Sequence, residues 1–165
     1  MVIIFIDELH LTIDGALRRV WAPKGTQPIS YRNGSHNGIN ILGAYTNDRK
    51  FHYQELSIQR KEEILPALQR LHRKYKNVLF VLDKATWHKN KLVEKYFEDN
   101  KDTIEYLYFP TGAPDINPVE ECWKQTRDKK TANTPFPSRD ALRKEVKTFW
   151  RNQPFRHNSL NYLIP

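Results

Sequence analysis

Two short apolar runs, VIIFI and VLFVL, each lead directly into an aspartate, Asp7 and Asp83. Runs of this length, rich in Val, Ile, Leu and Phe, read as buried strands. An ionised carboxylate at the carboxyl end of a buried strand is costly to desolvate, so it needs a cation or a hydrogen-bond partner there. A third acid, Glu120 in PDINPVEECW, falls where a helix begins. Two strand-end aspartates and a helix-borne glutamate can converge on a pair of divalent ions, an arrangement suited to phosphodiester chemistry.

The first half of the chain reads as β. Val2 to Ile6 is a strand, and Leu9 to Ile13 either continues it or begins a turn closed by Asp14-Gly15. Arg18 to Trp21 reads as a short second strand stopped by Pro23, and KGTQPISYRNGSHNG is loop-like. Ile39 to Thr46 is a third strand, and Asn47-Asp48 turns into Phe51 to Leu56, giving an antiparallel meander. Helix and strand then alternate. Ile64, Leu65, Leu68, Leu71 and Tyr75 keep helical spacing over about 58 to 75, with Pro66 implying a kink or a later start. Val78 to Leu82 is expected as the central buried strand. Leu92, Val93, Tyr96 and Phe97 mark a helix from about 88 to 99, and Ile104 to Phe109 is the last strand. Helices follow from Pro118 and from Ser138. The expected fold is α/β: a mixed sheet, three antiparallel strands and then parallel ones, flanked by helices. One domain is expected over 1–152, with a carboxyl-terminal tail over 153–165.

Charge names the partner class. The 165 residues carry a net charge of +8, so a polyanion is the natural partner. From Lys124 to Arg151 there are nine Lys/Arg against three Asp/Glu. Such a stretch alone reads as a solvated helix face; directly after a candidate catalytic glutamate it also reads as a phosphate-facing surface. The single cysteine, Cys122, excludes an internal disulfide and suits a reducing, intracellular setting. The six histidines are scattered, so no zinc-finger spacing exists. No apolar run approaches the roughly 20 residues of a membrane span, and the amino terminus enters a strand rather than a signal peptide.

Four segments, FIDELHL, WAPKGTQP, DKATWH and YFPTGAPDINPVEECW, occur in the order seen in DDE transposase catalytic domains. The chain resembles that family over about residues 2 to 130, most closely the insertion-sequence-630 type related to the eukaryotic mariner elements. Between Asp83 and Glu120 lie 36 residues, close to the family's usual gap. The resemblance implies an RNase H-like fold, with Asp7, Asp83 and Glu120 as the catalytic triad and metal ligands. It implies two Mg²⁺ or Mn²⁺ ions per site, roughly 3.5 to 4 Å apart, activating a water or a 3′-hydroxyl and stabilising the leaving oxygen. Relatives first hydrolyse the element ends and then join the freed 3′-hydroxyl to a TA target. No other cofactor is implied.

Each position has a structural alternative. Asn117-Pro118-Val119-Glu120 reads equally as N-cap to N3, so Glu120 can close a capping box; Glu121 is the alternative ligand on another side of the helix. Asp83 and Asp115 also suit turns. His88, five residues past Asp83, is read as a substrate-positioning donor, a position where the family commonly has a histidine. Lys84 departs from the family pattern, which places Asn there; it can contact phosphate or compete with metal. Lys24, Arg32, His36 and Lys89 are candidate DNA contacts at the loop edge of the sheet, and Lys124, Arg127, Lys129 and Lys130 on the basic helices. Trp21 and Trp123 are both expected to pack in the core, leaving Trp87 as the exposed aromatic.

The implied partners are double-stranded DNA (transposon ends and a TA target), a separate upstream helix-turn-helix region, and a second copy in a homodimer on DNA. No membrane is involved, and the expected setting is the cytoplasm of a prokaryote, at the nucleoid. Without an upstream recognition region, binding is expected to be salt-sensitive and indifferent to sequence. Two other readings stay open. One is a non-catalytic DNA-binding or assembly module derived from a transposase. The other is a ribonuclease H acting on hybrids, for which Glu62 and Glu63 are the candidate extra acids.

Overall fold

The computed structural model describes residues 1–32, 34–57, 61–84, 90–110, 112, 116–152 and 155, the side chains of 61 and 62 excepted. Five strands form one mixed sheet: β1 (Val2–Thr12), β2 (Gly38–Thr46), β3 (Phe51–Leu56), β4 (Val78–Leu82) and β5 (Ile104–Tyr108). Their order is β3-β2-β1-β4-β5. The β1–β2 and β2–β3 pairs are antiparallel, and β4 and β5 add in parallel on the other edge of β1. Three antiparallel strands followed by parallel ones is the arrangement expected from the sequence. The central strand is β1, however, and not Val78 to Leu82, which lies one place off centre.

Period-2 alternation splits the sheet into two apolar faces. Ile4, Ile6, Leu42, Ala44, Phe80 and Leu82 face α1 (Lys61–Tyr75) and α2 (Lys91–Asp99). Phe5, Leu9, Leu11, Ile41, Tyr45 and Val81 face α3 (Pro118–Thr126) and α4 (Arg139–Asn152). Helix α1 runs straight through Pro66, which is exposed. Only one carbonyl, four residues back in the first turn, loses a partner, which is why the proline is tolerated. Asn90 caps α2, its Oδ1 accepting from the amides of Leu92 and Val93. Between α3 and α4 the chain forms a π-helical turn, Arg127–Thr131, that the sequence did not signal.

The expected strand at Arg18 to Trp21 does not form. Both edges of β1 are already taken, by β2 and β4, and the segment finds no other edge. Only Ala16 makes a bridge, to Ala132 beside the π-helical turn. Asn133 then pairs with both backbone groups of Arg18, its Oδ1 accepting from the amide and its Nδ2 donating to the carbonyl, each at 3.0 Å. Beyond that anchor, Trp21 is fully exposed rather than packed in the core, a second correction. Helix α4 ends at Asn152, and Phe155 is buried against Phe51 and Phe149.

Candidate active site on the sheet

The parallel β1–β4 ladder ends at the pair Phe5–Val81. Asp7 follows two residues on, on the face of β1 that Phe5 occupies. Asp83 follows directly after β4 and adds to the electrostatics of Asp7. Asp7 is not at the end of its strand, as the apolar run suggested. The strand continues to Thr12, because β2 accompanies it to that point, and Asp7 lies where the shorter β4 stops. A side chain at such a step is flanked on one side by ladder and on the other by open loop.

Helix α3 packs on this same face through Val119, Cys122 and Trp123, all fully buried. Asn117 fixes its start in two ways. Its Oδ1 accepts from the Val119 amide at 3.1 Å, and its Nδ2 donates to the Ile6 carbonyl at 3.4 Å, next to Asp7 in the chain. Among the described residues the reciprocal capping bond from Glu120 to the Asn117 amide is absent, so the capping-box reading is half met: Asn117 caps, and Glu120 does not close the box. Glu120 is half-buried.

The electrostatics join the three acids. Asp7 is 9% exposed. Burial, followed by the neighbouring carboxylates of Glu120 and Glu8 and then Asp83, holds its carboxyl up at about 8, against a partial lowering by the hydrogen bond from Trp123. That bond runs from indole Nε1 to Oδ2 at 2.9 Å. Trp123 is core, as the sequence suggested, yet its polar edge reaches the site, which the sequence reading missed. Glu120 and Asp83 therefore lie within electrostatic reach of Asp7. As they stand, no three His, Cys, Asp or Glu side chains among the described residues are gathered tightly enough to hold one ion.

The basic candidates are dispersed. Lys84 follows Asp83 and is exposed, as are Lys24 and His36 in the long loop between β1 and β2. Arg32 donates from Nη2 to the Gly15 carbonyl at 3.0 Å, tying that loop to its own base. Ser35 reinforces the tie, its amide donating to the buried Asp14 at 2.7 Å. On the basic stretch, Lys124 stands 3.8 Å from Glu121 and Lys130 2.7 Å from Glu145. Lys129 and Lys130 both lie over the Phe149 ring, and Arg127 is half-buried in the π-helical turn. Arg143 and Lys147 are both committed to Glu55 on β3. Trp87, His88, Lys89 and Asp115 lie outside the described residues.

The sequence falls into a known family of endonucleases. Residues 2–143 match the model of the DDE superfamily endonucleases, and the chain belongs to that family. It is 27% identical to the Tc3 transposable-element transposase of Caenorhabditis elegans, across 98% of this chain and 52% of that protein. It is 23% identical to an uncharacterized 39 kDa protein of insertion element IS630 from Shigella sonnei, across 82% of this chain and 37% of that one. The chain thus spans about half the length, or less, of these curated relatives. Among solved structures, the Mos1 strand transfer complex superposes with a TM-score of 0.71 at 17% identity, covering 92% of this chain and 47% of that one. The Mos1 transposase catalytic domain bound to Raltegravir and Mg superposes at 0.69 and 16% identity, covering 98% and 77%. At these identities the likeness establishes the fold alone, an RNase H-like mixed sheet flanked by helices. Among the described residues no helix is long and apolar enough to cross a membrane.

Proposed function

We propose that this chain is the catalytic domain of a DDE transposase that cleaves DNA and transfers the freed strand, with Asp7, Asp83 and Glu120 as its metal ligands. One observation carries the reading: Asp7 is buried, with other carboxylates near it, and its burial first and those charges second raise its carboxyl to about 8. A buried carboxylate with half-buried ones near it has no packing rationale, and a divalent cation offsets its desolvation and their repulsion together. The donors are carboxylate oxygens, which suit Mg²⁺ and Mn²⁺. When bound, two such ions supply an activated nucleophile at neutral pH and charge stabilisation at the leaving oxygen. Solved structures of the Mos1 transposase include paired-end complexes with Mg, with Mn and with the left transposon end.

The residues of this chain divide the work. Asp7 must lose its proton for the site to fill, and β1 and α3 hold it between them. Asp83 and Glu120 approach from β4 and α3, so ligand spacing is set by how α3 seats on the sheet. Lys84 and, at the loop edge of the sheet, Lys24 are proposed to meet phosphate, together with His88 and Lys89. Arg127, Lys124, Lys129 and Lys130 are proposed as further DNA contacts on the basic helical stretch. Arg32 is proposed to act at one remove, by ordering the loop that carries Lys24. Recognition of element ends is assigned to a separate helix-turn-helix region, and pairing of two ends to a homodimer on DNA.

A ribonuclease H reading is less well supported. Glu63 accepts from the Ser57 amide at 2.7 Å and from the Ser57 hydroxyl, which occupies it at the β3–α1 turn. The test is nicking of supercoiled plasmid and of an RNA–DNA hybrid at low salt with Mn²⁺. Plasmid nicking that disappears in Asp83→Asn supports the proposal, and cleavage confined to the hybrid's RNA strand would replace it with the ribonuclease reading.

A further inference from the structure

Gly43 stands directly opposite Asp7 in the β1–β2 ladder, in the middle of the stretch ILGAY of β2. A glycine there costs strand stability unless another group needs the space. Here one does. A Cβ on Gly43 would come within 2.4 Å of both Cζ2 and Cη2 of Trp123, and within 3.1 Å of Val119 Cγ1. Cζ2 and Cη2 of the indole therefore pack against bare backbone on β2, and Nε1 of the same ring donates to Asp7 Oδ2 at 2.9 Å. The ring also makes edge contacts with Phe51, centroids 5.6 Å apart, and with Trp150 at 6.1 Å. It is fully buried and has no room to turn.

From this geometry we infer that Trp123 is a positioning residue for Asp7, and that Gly43 is glycine so that the indole can reach it. This inference rests on the proposed metal site. A carboxylate at a two-ion site must present its oxygens in a fixed direction. One hydrogen bond from a rotationally locked donor fixes the carboxylate plane while leaving Oδ1, and the remaining lone pair of Oδ2, for metal. Partners of this kind set ligand orientation, and removing one typically weakens metal binding about 10- to 100-fold. The same helix also carries Glu120, three residues before Trp123. Seating the indole over Gly43 thus sets two of the three ligands in one packing event.

The inference separates Trp123 from Trp150, a neighbouring buried tryptophan whose Nε1 donates to Thr126 Oγ1 at 2.9 Å, away from the acids. Trp123→Phe keeps most of the apolar volume and deletes the donor; Trp150→Phe does the same at a site with no carboxylate. Mn²⁺ affinity by calorimetry should fall about 10-fold or more in Trp123→Phe and stay within about 2-fold of wild type in Trp150→Phe, both proteins being checked for a cooperative melt. A second readout needs no Trp123 variant. In ¹⁵N-labelled protein the Trp123 indole resonance should shift on Mg²⁺ titration with the midpoint found by calorimetry, and should shift in Asp7→Asn without metal. Wild-type affinity in a folded Trp123→Phe, or an indole resonance indifferent to both Mg²⁺ and Asp7→Asn, overturns the positioning role and leaves the metal site standing. Absence of Mn²⁺ binding by the wild-type protein overturns both.

Discussion

At Asp7, protonation couples stability to pH in the direction opposite to most aspartates. Its carboxyl is raised from 3.8 to about 8 in the folded chain. Between those values the folded state holds a proton that the unfolded state has lost, so stability falls as pH rises from about 4 to about 8 and is level on either side. Asp7→Asn, which cannot ionise, is therefore expected to raise the melting temperature of metal-free protein, with a gain that grows from pH 4 to pH 8. Thermal melts in chelator at the two pH values check this; a gain that shrinks with pH contradicts it. Metal must displace the same proton, so Mn²⁺ affinity should rise from pH 6 to pH 8 with proton release, measurable as a buffer-dependent heat. Gly43→Ala forces a methyl group into the Trp123 ring and should cost about 1–3 kcal/mol in chemical denaturation. The two aspartates could be read from the sequence because a charge ending an apolar run is rare and costly. Gly43 and the indole bond could not, because a strand partner and a facing helix are chosen by tertiary packing.

Elements inherit these constraints. Helix α4 is held to β3 by Glu55, which accepts from Arg143 Nε and Nη2 and from Lys147 Nζ at 2.7–2.9 Å. The hydrogen bonds from Arg143, ahead of those from Lys147, draw the Glu55 carboxyl down to about 2. Its contribution is present in full above the ordinary glutamate value and is lost as pH falls from about 4.5 toward 2. Glu55→Gln should cost about 1–2 kcal/mol at pH 7, and the difference from wild type should vanish near pH 2 in denaturant titrations. Strands and helices were legible wherever periodicity was strong: β3 and β4 have the bounds read from the sequence, and β2 and β5 nearly so. Arg18 to Trp21 failed because β propensity does not supply an edge to pair with. The π-helical turn at Arg127–Thr131 was invisible because its residues are ordinary helix formers, and only the tether to Ala16 and Arg18 gives the chain reason to widen there.

For the whole molecule, the net charge of +8 overstates what faces DNA. Arg143 and Lys147 lie within 3 Å of Glu55, whereas Lys129, Lys84 and Lys24 are exposed. Sequence-indifferent DNA binding, followed by fluorescence anisotropy, should weaken as salt rises. Lys129→Ala should lower the slope of log affinity against log salt by about 1, and Lys147→Ala should leave it nearly unchanged. Equal effects would mean that the internal pairs open on binding. The direct measurement of the central claim is Mn²⁺ titration calorimetry at low salt on wild type, Asp83→Asn and Glu120→Ala. The account predicts binding by wild type that is lost in Asp83→Asn and weakened in Glu120→Ala. Binding unchanged across the three folded proteins, or absent from wild type, would contradict it and leave a non-catalytic module built on the same fold.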